Sequence, residues 1–167
     1  KQGVQLISND QVPSHQYLSD GGYISPRFTV PDGSHICKLT VSSSGLNNSW
    51  VALSVAFLDE EDNVLLDTEA NVEYYYGTEG GESWSEGSRK DQTLFRLVGP
   101  KTYRINVFGE SGGSRGAGVN APVSISLYQD VAPARYFFMV ALVAFIYPVW
   151  EFGRQVMFAS RRWPSDD

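Results

Sequence analysis

Five residues, Gly109 to Gly113, read GESGG, and the pattern Gly-x-Ser-x-Gly is the form a hydrolase uses to present a nucleophilic serine on a sharp strand-to-helix turn. Ser111 would be that nucleophile. The chemistry then needs a histidine base placed after it in an α/β chain, and a helix directly behind it. The two histidines, His15 and His35, both precede Ser111, and the following GGSRGAGVNAP is too rich in glycine to start a helix. The same stretch lacks the Gly-Lys-Ser/Thr ending of a phosphate-binding loop. Ser111 therefore reads as a solvated residue of a loop between two strands.

The second candidate is EYYYGTEGGESWSEGSRKD, Glu73 to Asp91. Glu79, Glu82 and Glu86 are hard oxygen donors of the kind that gather around Ca²⁺, but the alternating Asp/Asn spacing of an EF-hand is absent, so no metal and no cofactor is assigned. Trp84, with Tyr74, Tyr75 and Tyr76 nearby, could instead form an aromatic platform for a sugar ring or a partner surface. The plainest expectation is a long loop folded over the domain with Trp84 as its plug. If the domain has an interaction site, Trp84, Tyr75, Glu79, Glu82 and Glu86 are its candidate residues.

These residues must be positioned by strands. Apolar residues alternate with polar ones in HICKLTV, WVALSVAFL, EANVEYYY, TYRINVF and VSISLY, which puts Cys37, Leu39 and Val41 on one face, and likewise Val51, Leu53, Val55 and Phe57. Ala70, Val72, Tyr74 and Tyr76 form a third such set, Tyr103, Ile105 and Val107 a fourth, and Val123, Ile125 and Leu127 a fifth. Shorter runs lie at Val4 to Ile7, Tyr23 to Val30 and Thr93 to Val98. Turn chemistry separates the runs at Pro31 to Gly33, Asp59 to Asn63 and Gly99 to Pro100. About eight such strands, with no helix expected before residue 133, indicate an all-β fold: an antiparallel, jelly-roll-like β-sandwich over residues 1–130.

Charge narrows the partners. Residues 1–134 carry nine Lys or Arg against sixteen Asp or Glu, and an acidic domain repels nucleic-acid phosphates. The lone Cys37 forms no internal disulfide and no thiolate cluster; in a strand-like run it reads as a small buried hydrophobe.

After a short linker at 131–135 the pattern changes. The run YFFMVALVAFIYPVW, Tyr136 to Trp150, is fifteen residues without a charge. As a helix it covers about 22 Å of a ~30 Å hydrocarbon core. Continued through Phe158, with Glu151 and Arg154 pairing three apart, it is long enough to span, so a transmembrane helix is expected at 136–158 and a cytoplasmic tail at 159–167. Tyr136, Trp150 and Trp163 suit the interfacial belts, and Arg154, Arg161 and Arg162 place the C-terminus inside. The lipid bilayer is thus an expected partner, with the sandwich outside the cell membrane. That topology calls for a leader or an earlier span upstream of Lys1.

NNSWVALSVAFLDEE (Asn47 to Glu61), VEYYYGTEGGESWSEGS (Val72 to Ser88) and the closing ASRRWPSDD resemble the bacterial membrane proteins grouped as domain of unknown function 4178. The resemblance implies an outer β-sandwich joined to membrane spans, and carries over no catalytic residue. Together with the failed nucleophile motif, it makes the expected function non-enzymatic: an interaction or assembly module of an envelope membrane complex, with a membrane-protein partner or a second copy. A carbohydrate- or envelope-polymer-binding module is the alternative.

Overall fold

The computed structural model describes residues 3–113, 120–131 and 134–162; within the last segment, side chains are described at 137–152, 154 and 157. The chain divides into two units, Lys1–Val131 and Ala132–Asp167. The first is all-β with antiparallel pairing throughout. Its strands are β1 (Val4–Val12), β2 (Tyr23–Ile24), β3 (Phe28–Ser42), β4 (Ser49–Leu58), β5 (Val64–Glu79), β6 (Glu82–Ser88), β7 (Lys90–Gly113) and β8 (Val123–Gln129), with a one-turn helix α1 (Ser14–Tyr17) after β1.

The sheet runs β1-β8-β3-β7-β4-β5-β6, and β2 also pairs with β7. The long strand β7 makes it a curled, two-layered structure. From Lys90 to Tyr103 it pairs with β3, and from Arg104 to Gly113 with β4, so one strand serves both layers. Between them lies a core whose members include Val12, Leu39, Val41, Val51, Val55, Phe57, Ile105, Ile125 and Leu127, each no more than 1% exposed. The alternating sets inferred from the sequence supply most of it, because in a strand every second side chain faces the same way.

Three expectations change. Pro31 to Gly33 and Gly99 to Pro100 do not end strands: β3 and β7 run through them, with an irregularity in register between Val30 and Gly33. A helix does occur before residue 133, since Pro13 precedes α1, which seats the Tyr17 ring in the core, where its hydroxyl donates to the Ala121 carbonyl at 2.8 Å. Ser111 is not in a loop either. It sits near the end of β7 opposite Val51, and is hydrogen-bonded to Tyr17. Residues 114–119, the rest of that glycine-rich stretch, lie outside the described residues.

The second unit is the helix α2 (Ala134–Arg162), with Pro148 inside it. Its large apolar side chains from Phe137 to Trp150 are each 59 to 75% exposed, on every side of the helix. The anticipated Glu151 and Arg154 pair forms, Nη2 donating to Oε1 at 2.8 Å, with the Arg154 guanidinium 5.8 Å from the Trp150 ring centre. Among the described residues, however, no helix is long and apolar enough to cross a membrane. That corrects the spanning helix expected at 136–158. The uncharged run ends at Trp150, and carrying it further brings in the two charges of Glu151 and Arg154. The side chains of Tyr136, Arg161 and Arg162, all of Trp163, and the linker residues 132 and 133 lie outside the described residues.

Candidate functional site

The Glu73 to Asp91 stretch is a β-hairpin rather than a loop. Its turn is Gly80-Gly81, with φ of +60° and +89°, and two positive φ values are what a two-residue type I′ turn demands. Glycine, with no Cβ, takes such φ without strain. The hairpin is also an arm. β5 pairs with β4 from Val64 to Tyr74 and with β6 from Glu73 to Glu79, so beyond Tyr74 the two strands continue past the end of β4 as a ribbon. Every residue of β6 is exposed.

Register decides which side chains meet. Glu79 lies opposite Glu82, Gly77 opposite Trp84, and Tyr75 opposite Glu86. With period two, Tyr75, Glu79, Glu82, Trp84 and Glu86 all stand on one face of the arm. The sequence candidates are brought together, but not as a plug. Trp84 is 44% exposed, and its indole lies over Gly77, where an added Cβ would sit 2.8 Å from ring atom Cζ2. The missing side chain at Gly77 gives the ring its seat, a cross-strand packing of aromatic on glycine. The opposite face carries Tyr74, Tyr76 and Thr78 across from Gly87, Ser85 and Ser83.

The root of the arm is tied down at two points. Tyr76 N–H donates to Asn48 Oδ1 at 2.8 Å, where β4 begins. Arg89 donates from Nη2 to the Leu46 carbonyl at 3.0 Å and places its guanidinium 3.6 Å from the centre of the Tyr74 ring, a cation-π contact. A two-stranded ribbon has little stability of its own, and these contacts hold its base to the sandwich.

The same outer face continues across β5, β4 and β7 as a groove of about 430 Å³. Its floor is Ala52 and Ser54; its walls are Glu69 and Asn71 on β5, and Phe108 and Glu110 on β7. Trp50 lies on that face two residues before Ala52, its ring packed over Gly112 as Trp84 packs over Gly77. Sequence reading passed over these residues. The signal was the polar side of WVALSVAFL, where Ala52 and Ser54 are too small to fill the space above a strand flanked by long side chains.

Elsewhere the ionisable groups are engaged in structure. The Asp59 carboxylate accepts from the backbone N–H groups of Asn63 at 2.9 Å and Glu61 at 3.0 Å, and those bonds hold its pKa below the ordinary value. Asp59, Glu60, Glu61 and Lys101 border a second cavity of about 470 Å³. His35 Nδ1 lies 2.8 Å from Asp130 Oδ1, and this hydrogen bond raises the imidazole pKa. Burial pushes the Cys37 thiol up to about 11, which keeps it protonated and unreactive. His15 is exposed on α1. Among the described residues, no three or more His, Cys, Asp or Glu side chains converge as a metal site requires, Glu79, Glu82 and Glu86 included.

Fold and site together define an antiparallel β-sandwich that carries a projecting acidic and aromatic hairpin. No family model matches the chain, and no characterised protein matches it. Among solved structures, the infectious bursal disease virus Gx strain structure is 12% identical over 75% of this chain, with a TM-score of 0.37. This chain spans only 30% of that one, and a likeness of that size carries no argument here.

Proposed function

We infer that this chain is a non-enzymatic interaction or assembly module of a bacterial envelope complex, held at a membrane by α2, with the β5–β6 arm as its contact site. The observation that supports this reading is the arm itself: an exposed ribbon that buries no core, yet collects Trp84, Tyr75 and three carboxylates on one face. Exposed aromatic side chains on a polar rim are the usual anchors of protein contacts. The strand orders β1-β8-β3-β7 and β2-β7-β4-β5 in the two layers support the jelly-roll assignment, an arrangement of two Greek keys. The apolar surface on every side of α2 supports lipid as its surroundings. The resemblance to the domain of unknown function 4178 proteins belongs to the same proposal.

Copurification of the full chain in mild detergent tests it. A stoichiometric membrane partner lost in the Trp84→Ala variant is expected; a chain that stays alone at native expression sinks the reading. Retention in the membrane fraction through a carbonate wash is expected as well, and release without detergent argues against anchoring.

A second reading has its own observation. The groove along β4 combines aromatic Phe108 with hydrogen-bonding Glu69, Asn71, Ser54 and Glu110, a lining that suits an uncharged saccharide of an envelope polymer. Glycan-array binding abolished by Phe108→Ala but kept by Trp84→Ala favours that reading over the arm.

A further inference from the structure

The hairpin geometry fixes which backbone groups of β6 are free. In an antiparallel pair closed by a two-residue turn, the residues flanking the turn exchange hydrogen bonds, and bonded and non-bonded pairs then alternate along the ladder. Glu79 with Glu82, Gly77 with Trp84 and Tyr75 with Glu86 are the bonded pairs; Thr78 with Ser83 and Tyr76 with Ser85 are not. An independent contact agrees, because Tyr76 N–H points away from β6 and donates to Asn48 Oδ1. On the partner strand, the N–H and C=O groups of Ser83 and Ser85 must then point away from β5. Among the described residues, no strand pairs with that side of β6.

An open edge of this kind is a template for another strand. Its side chains sort by face. Ser83 and Ser85 are small and leave the approach clear, whereas Glu82, Trp84 and Glu86 line the other face with negative charge on both sides of an indole. A second copy of β6 would bring its own Glu82 and Glu86 onto this face, with Glu79 adding to the repulsion. A strand with Lys or Arg at alternate positions meets carboxylates and the indole face together, through ion pairs and a cation-π contact. We propose that β6 receives an extended, basic polypeptide segment by strand addition, with its cationic side chains over the Glu82, Trp84 and Glu86 face. The proposal rests on the interaction reading above and names the partner's chemistry.

The test titrates the full chain in detergent with two synthetic peptides, Lys-Val-Lys-Thr-Lys-Val and its counterpart with Glu in place of Lys, and follows backbone amide hydrogen exchange. The basic peptide is expected to bind and to slow exchange at Ser83 and Ser85; the acidic one is expected to do neither. Ser85→Pro removes one outward N–H without touching the bonds to β5, a position where an edge strand accepts proline. It should unfold at the wild-type temperature and bind the basic peptide at least about tenfold more weakly. The Glu82→Gln/Glu86→Gln variant keeps every backbone group and should also weaken binding, by about tenfold at low salt. Equal binding by Ser85→Pro, equal protection by the acidic peptide, or protection that grows with protein concentration in the absence of peptide overturns the proposal, the last by showing that a second copy takes the edge. Equal copurification of a membrane partner by wild type and Ser85→Pro overturns the strand-addition proposal while leaving the interaction reading standing.

Discussion

The strand β5 belongs to two regions, and they treat the same sequence pattern differently. Where it pairs with β4, Ala70 and Val72 face a second layer and are 2% and 1% exposed. Toward the arm the same face carries Tyr74, which is half-buried, and then Tyr76, which is 46% exposed and lies beyond the last residue paired with β4. The two tryptophans repeat the contrast. Trp50 rests on Gly112 within the body, and Trp84 on Gly77 in the arm. Alternation selects a face; only a second layer turns that face into core, and where the layer stops, apolar side chains become available to a partner.

Mutations in the body should therefore cost stability, and those in the arm should cost binding. The largest effect is expected at Phe57, fully buried with its ring centre 4.8 Å from that of Phe95. Phe57→Ala should lower unfolding free energy by about 3 to 5 kcal/mol in denaturant titration. A loss below 1 kcal/mol would mean that the two layers do not form one core.

Glycines sharpen the contrast. An added Cβ at Gly109 would lie 2.4 Å from Leu53 Cδ2 and 2.7 Å from the Ala52 carbonyl oxygen. The backbone cannot yield easily, so Gly109→Ala should cost about 1 to 3 kcal/mol. At Gly77 the obstacle is the half-exposed Trp84 ring, which can swing into solvent. Gly77→Ala should therefore cost less than Gly109→Ala in the same titration, and near-equal costs would show the arm packed as firmly as the body.

Trp84→Ala comes next, with an expected loss under about 1 kcal/mol, since much of the indole is already in water. A cost near that of Phe57→Ala would make Trp84 structural and withdraw the arm as a contact site.

The smallest effect is electrostatic, at the end of the β unit. Asp130 raises the His35 pKa above its ordinary value of 6.5. The folded state thus favours the charged imidazole. That stabilisation is complete below about pH 6.5 and is lost as pH rises through the higher folded value. A plot of unfolding temperature against pH should fall across that window in wild type and flatten in His35→Gln. Asp59 works in the opposite direction: its lowered pKa contributes stability above about 3.8 that disappears as pH falls through the folded value, and Asp59→Asn should remove that slope.

Much of this was legible in the residues themselves. The sets Val51, Leu53, Val55, Phe57 and Val123, Ile125, Leu127 reveal strands and their buried faces, because a pleated chain sorts side chains two by two whatever its neighbours are. The change to an uncharged run at Tyr136 marks where the strand pattern gives way to α2, and the spacing of Glu151 and Arg154 suffices to predict their pairing. Other features depended on partners distant in sequence. That β7 leaves β3 for β4 near Tyr103, that Ser111 meets Tyr17, and that Ala52 and Ser54 become the floor of a groove all follow from pairings that no local pattern encodes. So does the arm. Glycines at 80 and 81 mark a turn, but the place of β6 as the last strand, with β5 alone beside it among the described residues, is what leaves Glu82, Trp84 and Glu86 on an open edge, since a strand is exposed or buried according to what lies beside it.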